Sequence, residues 1–149
     1  MTHEEYMREA LAEARKAYDL GEVPIGAVVV RDGAIVARSH NLRELAHDAT
    51  AHAEVLAIRQ AGQELGGWRL SGCTLYVTVE PCPMCAGALL QSRVDRVVYG
   101  ATDPKAWADR SLLEILQNSG LNHQVEVLPG ILAQESSQIM KAFFRERRR

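Results

Sequence analysis

With 149 residues and 47% hydrophobic side chains, the chain has the size of one compact domain, 1–149, and enough apolar surface to close a core without a structural staple. Its 17 basic and 19 acidic side chains leave a net charge of −2, which excludes a basic field over the whole molecule, so any nucleic-acid footprint has to be local. The first residues lack a secretory pattern, no apolar run approaches a membrane span, and three cysteines, two of them as Cys82-x-x-Cys85, suit a reducing cytoplasm better than a disulfide framework.

Thr2 and Glu5 make a capping box, and Tyr6, Met7, Ala10, Leu11, Ala14 and Tyr18 follow at helical spacing until Gly21 stops the run. Ile25–Arg31 and Ala34–Ser39 are β-rich runs joined by Asp32-Gly33, a pair that tolerates positive φ, so they predict a hairpin. A helix is expected from Ala51 to Ala61, ending at Gly62, then a buried strand over Leu75–Val79. Pro83 suits the first turn of a helix running through Met84, Ala86, Leu89 and Leu90. Strand Val94–Tyr99, helix Ser111–Gln117, strand Val125–Leu128 and helix Ile131–Arg147 complete the chain. Strands alternating with helices after a hairpin predict an α/β, three-layer α/β/α domain around a mixed five-stranded sheet, and no repeat or linker marks a second domain.

Two segments carry chemistry, His52-Ala53-Glu54 and Pro81-Cys82-Pro83-Met84-Cys85, each where a loop gives way to a helix. Cys82 and Cys85 are neighbours on one helical face, at the dipole end that favours thiolates. One imidazole and two thiolates leave a fourth coordination position open, the pattern of catalytic zinc, and zinc lowers the pKa of water there while Glu54 moves protons. Each piece alone is weak. An isolated His-x-Glu is usually surface decoration, and an isolated Cys-x-x-Cys divides among metal, redox and incidental burial. Neither Cys73 nor His47 falls at a spacing that would close the site, and a thioredoxin-like pair would leave His52-Ala53-Glu54 unexplained. Together the segments read as a zinc hydrolase with about one zinc ion per chain.

Gly21-Glu22-Val23-Pro24-Ile25-Gly26-Ala27-Val28, Thr50-Ala51-His52-Ala53-Glu54, Leu75-Tyr76-Val77-Thr78-Val79-Glu80-Pro81-Cys82 and Leu121-Asn122-His123 resemble the zinc-dependent cytidine and nucleotide deaminases, and among them the bacterial tRNA adenosine deaminases. The resemblance runs nearly end to end. It implies a cytidine deaminase-like fold, a homodimer, and conversion of the wobble adenosine of a tRNA anticodon stem-loop to inosine with release of ammonia. It also implies that His52, Cys82 and Cys85 ligate zinc and that Glu54 protonates the ring nitrogen and the departing ammonia.

By the same resemblance Asn41 hydrogen-bonds the flipped nucleotide, Ile25 and Ala53 wall the base pocket, and Asp103, in Asp103-Pro104-Lys105, borders the substrate. A turn role for Asn41 and core packing for Ile25 and Ala53 are the alternatives. Phe143-Phe144 followed by Arg145, Arg147, Arg148 and Arg149 suits stacked bases and phosphates, with Phe144 expected at the substrate; arginines at a helix end also complement its dipole.

Three stretches depart from the family pattern. Ala106-Trp107-Ala108-Asp109-Arg110 stands where small residues are usual, so Trp107 and Arg110 either fill substrate space or add a stacking surface. Ala49 stands where proline is usual, and Leu42-Arg43-Glu44-Leu45 replaces a loop commonly richer in proline and glycine. Two alternatives therefore stay open: a deaminase of the same fold acting on guanine, cytosine or cytidine, and a non-catalytic zinc-dependent RNA-binding module, against which Glu54 argues.

Overall fold

Thr2 caps the first helix, α1 (His3–Asp19): its hydroxyl accepts the Glu5 N–H at 3.1 Å, and the Glu5 carboxylate accepts the Thr2 N–H at 3.1 Å. This computed structural model describes residues 1–107 and 111–147. β1 (Gly26–Arg31) and β2 (Ala34–His40) form the expected hairpin, with Asp32 at φ 50° and Gly33 at φ 77° making the left-handed pair that matches strand twist. α2 (Ala53–Leu65), β3 (Cys73–Val79), α3 (Pro83–Gln91), β4 (Arg96–Ala101), α4 (Pro104–Trp107), α5 (Leu113–Leu116), β5 (Glu126–Leu128) and α6 (Ala133–Arg147) follow.

The sheet order is β2-β1-β3-β4-β5, with β1 antiparallel to both neighbours and β3, β4 and β5 parallel. Alternate residues bury opposite faces. Ala27, Val29, Leu75, Val77 and Val97 join Ala53, Ala57 and Ala61 of α2, Ala86 and Leu89 of α3 and Leu116 of α5 in one core. Val28, Val30, Tyr76 and Val98 meet Tyr6, Met7 and Ala10 of α1 in the other, where α6 also packs on β3 and β4. This is the three-layer arrangement the sequence predicts. α1 lies so close to β1 that a Cβ on Gly26 would stand 2.1 Å from the Ala10 carbonyl oxygen and 2.4 Å from the Ala14 nitrogen. Among the described residues no helix is long and apolar enough to cross a membrane.

Several boundaries differ from expectation. Gly62 does not end α2, because Gly66, at φ 76°, supplies the left-handed cap and returns its N–H to the Gly62 carbonyl. β4 starts two residues later than its apolar run, since the Asp95 N–H is taken by Cys73 and the ladder to β3 opens at Arg96. α4 was not anticipated; Asp103 starts it by accepting the Lys105 N–H at 3.2 Å, with Pro104 in the first position. The helix expected over Ser111–Gln117 contracts to the single turn of α5. Arg110, Arg148 and Arg149 lie outside the described residues.

Candidate active site

The rim where β1 begins and β2, β3 and β4 end gathers every candidate residue. His52 is the N-cap of α2 and Cys82 the N-cap of α3, with Pro83 opening that helix and Cys85 one turn in. His52 Nδ1 stands 3.7 Å from Cys82 Sγ and 3.5 Å from Cys85 Sγ, and the three donor atoms all lie within 4.8 Å of one another. Tetrahedral zinc with bonds of about 2.0–2.1 Å to nitrogen and about 2.3 Å to sulfur separates such donors by roughly 3.5 Å. Donor type and spacing therefore both fit a zinc ion. Neither Cys73, buried in β3, nor His47 belongs to the cluster.

The electrostatics of the group are those of a proton-handling site. The Cys85 thiol beside it holds Cys82 down, to about 4, against the opposing effect of burial and with further help from His52. Cys85 is pushed in the other direction by the Cys82 sulfur and by burial, and His52 is raised chiefly by its contact with Cys82. Glu54, only 4% exposed, is raised to about 7, first by burial, with the negative Cys82 adding to it and its own backbone N–H and His52 opposing. A carboxyl titrating there exchanges protons readily near neutral pH.

A cleft of about 710 Å³ opens above this group. Its lining contains all the expected substrate residues: Ile25, Asn41, Ala53, Asp103 and Phe144, along with His52, Glu54 and Cys82. Asn41 also performs the turn role. Its Nδ2 donates to the Val23 carbonyl at 3.2 Å and its Oδ1 accepts the Arg43 N–H at 3.1 Å, leaving one N–H and one lone pair for a ligand. Ile25 and Ala53 pack in the core while also walling the cleft.

The aromatic pair of α6 divides its labour. Phe143 is buried edge-on against Tyr18, whereas Phe144 is 43% exposed in the cleft wall. Arg147 stacks over Phe143 at 4.7 Å and donates to the Gly21 carbonyl, so its role is structural, while Arg145 lines the cleft. The turn at Ala49 is held by Asp48, whose Oδ1 accepts the Thr50 N–H at 2.8 Å and hydroxyl at 2.7 Å.

Sequence reasoning missed several contributors. Arg43, Lys105 and Lys141 line the cleft, and with Arg145 they set four cations in a wall that also holds Glu54, Glu80 and Asp103. Glu80 lines it too and accepts the Asp103 N–H at 3.1 Å. Glu22, 1% exposed, accepts the Glu44 and Leu45 N–H groups and so supports the loop after β2. In the sequence Glu22 stands only within the Gly21–Val28 stretch that carries the family resemblance, with no role attached to it. Trp107 takes neither place expected of it: it is buried, with its indole N–H on the Pro81 carbonyl.

Comparison with known proteins bears on this geometry. A family model for MafB19-like deaminases matches residues 1–148. The chain is 55% identical to the tRNA-specific adenosine deaminase of Bacillus subtilis (strain 168), covering 100% of this chain and 93% of the relative. A solved structure from studies of A-to-I editing by tRNA:A34 deaminases at the wobble position of transfer RNA is similar with a TM-score of 0.84 and 44% identity, over 91% of this chain and 98% of that one. The guanine deaminase of Bacillus subtilis is also similar, with a TM-score of 0.66 and 44% identity over 68% of this chain and 66% of that one.

Proposed function

This chain belongs to the deaminase family that includes the bacterial tRNA-specific adenosine deaminases, and from that premise we propose that it hydrolyses the wobble adenosine of a tRNA anticodon stem-loop to inosine and ammonia. The observation that carries the reading is the buried carboxyl of Glu54 beside the His52, Cys82 and Cys85 donor set, with Glu54, His52 and Cys82 lining one cleft. His52, Cys82 and Cys85 would hold a zinc ion, which when bound supplies an activated water to the site.

The chain's own residues do the rest. Glu54 takes one proton from the attacking water and delivers it to the ring nitrogen; it then takes the other proton of that water and passes it to the amino group as the C6–N bond breaks and ammonia leaves. The oxygen of that water becomes the inosine carbonyl. Asn41 offers its remaining N–H and lone pair to the flipped nucleotide, Ile25 and Ala53 confine the base, and Asp103 fixes the rim through its backbone bond to Glu80. Phe144 offers a stacking face, and Arg43, Lys105, Lys141 and Arg145 offer charge to the phosphates around the extruded base.

The reading includes one functional unit over 1–149, assembly as a homodimer, and action in the cytoplasm, where tRNA is met. The family match over residues 1–148 supports the first.

Substrate assays test it. Purified protein is given an anticodon stem-loop with a wobble adenosine and, in parallel, guanine, cytosine, adenosine and cytidine, with inosine and ammonia measured. The free-base arms matter because of the similarity to a guanine deaminase. Inosine formed in the stem-loop is expected; turnover of a free base alone would overturn the tRNA reading.

A further inference from the structure

The turn that carries Cys82 has few hydrogen bonds of its own. Pro81 and Pro83 flank the cysteine, and neither offers a backbone N–H. What fastens the turn comes from the last residue of β4 and the segment after it. The Glu80 N–H donates to the Ala101 carbonyl at 2.8 Å, the Glu80 carboxylate accepts the Asp103 N–H at 3.1 Å, and the Pro81 carbonyl accepts the Trp107 indole N–H at 2.9 Å. The Trp107 ring is 8% exposed and joins the apolar cluster that contains Ala86, Leu89, Leu112 and Leu116.

The carbonyl matters because of what it is joined to. A peptide unit is planar, so the Pro81 oxygen and the nitrogen and Cα of Cys82 move together. Holding that oxygen fixes the plane from which the Cys82 side chain springs. A ring packed on one side and hydrogen-bonded on the other has little freedom to rotate, so it is a rigid support.

We propose that Trp107 is a positioning residue for Cys82: its indole N–H on the Pro81 carbonyl holds the Cys82 peptide plane so that the sulfur stays 3.7 Å from His52 Nδ1. The inference rests on the reading of His52, Cys82 and Cys85 as metal ligands. It gives Trp107, a residue unusual for its place in the family pattern, a task at the metal turn and none at the substrate.

The alternative is a ring that only fills space, and one atom separates the two. Replacing Trp107 with 3-benzothienylalanine keeps the shape and removes the N–H; Trp107→Phe removes both the N–H and part of the ring. Zinc affinity of the full chain is measured by competition with a chromophoric chelator, and thermal unfolding is followed with and without added zinc. Both variants are expected to hold zinc about tenfold more weakly than the parent, the scale on which outer partners of metal ligands act. The benzothienyl chain should unfold near the parental temperature when zinc is withheld. Should Trp107→Phe fail to fold, the benzothienyl chain decides alone. Parental zinc affinity in that chain overturns the inference while leaving the ligand set standing. A parent that binds no zinc takes down the ligand reading and this inference together.

Discussion

The carboxylate of Glu22 accepts the Leu45 backbone N–H at 2.7 Å, and its second oxygen accepts that of Glu44 at 3.1 Å. A buried acid thus braces a loop 22 residues further along the chain, and that loop delivers Asn41 and Arg43 to the cleft. Glu22→Ala leaves two N–H groups without their acceptor and is expected to destabilise the fold by about 2–4 kcal/mol. Urea unfolding gives the stability change, and steady-state kinetics should show KM rising more than kcat falls. Unchanged KM would mean that the loop holds its shape without this brace.

If Glu54 carries the protons, Glu54→Ala removes that carrier while leaving the proposed ligands His52, Cys82 and Cys85 in place. Zinc content should stay at about one ion per chain, while kcat falls by at least about 10²–10⁴. Metal analysis and inosine formation on the same preparation check both halves. Turnover within a few fold of the parent would end the assigned role of Glu54.

Phe144 is exposed in the cleft wall, whereas its neighbour Phe143 is buried. If Phe144 stacks on a base, Phe144→Ala should raise KM for the stem-loop by about tenfold, the consequence of losing about 1–3 kcal/mol of stacking. Melting temperature should scarcely change. An unaltered KM would place the ring outside the RNA path.

Glu13, on α1, reaches to β2, accepting from His40 Nδ1 at 2.9 Å and from Lys16 Nζ at 2.6 Å with its side chain 5% exposed. Burial pushes its carboxyl up, but the hydrogen bonds from His40 and Lys16 outweigh that and hold it below the ordinary value of 4.5. A folded pKa depressed in this way contributes stability that is present above the unfolded value and is lost as pH falls through the folded one. The deficit of Glu13→Gln should therefore be full at neutral pH and shrink as pH drops below 4.5. Urea titrations of both chains at stepped pH measure it; a deficit constant with pH would show that the charge of Glu13 is immaterial.

Gly26 tests the packing of α1 on β1. Gly26→Ala puts a methyl within 2.1 Å of the Ala10 carbonyl oxygen, a backbone atom that cannot step aside, and should cost about 3 kcal/mol or more. Thermal unfolding reads the loss.

Local chemistry was legible in the sequence because its signals are local. The capping box at Thr2, the Asp32-Gly33 turn and the two short motifs His52-Ala53-Glu54 and Cys82-x-x-Cys85 each follow from residue type at short spacing; that the motifs meet in space was legible only from their combined pattern, and the structure brings His52, Cys82 and Cys85 together. The resemblance located Ile25, Asn41, Ala53 and Asp103, and the aromatic and basic run of the C-terminal helix located Phe144; all of them line the cleft. Glu22, Glu80 and Trp107 were illegible for one shared reason. Each acts on a backbone group more than 20 residues away, and nothing in the neighbourhood of an acid or an indole announces so distant a partner. Gly62 misled because a glycine tolerated inside a helix looks like one that ends it, until Gly66 is seen to be the one at positive φ.

The walls of the cleft come from Val23 at one extreme of the chain and Arg145 at the other. Such a site has no partial form: the hairpin of β1 and β2 can close early from neighbouring residues, but the cleft awaits the docking of α6, the last helix. Deaminase activity is thus a probe of complete folding, and a chain released before α6 is made lacks the wall that Ser137, Met140, Lys141, Phe144 and Arg145 supply.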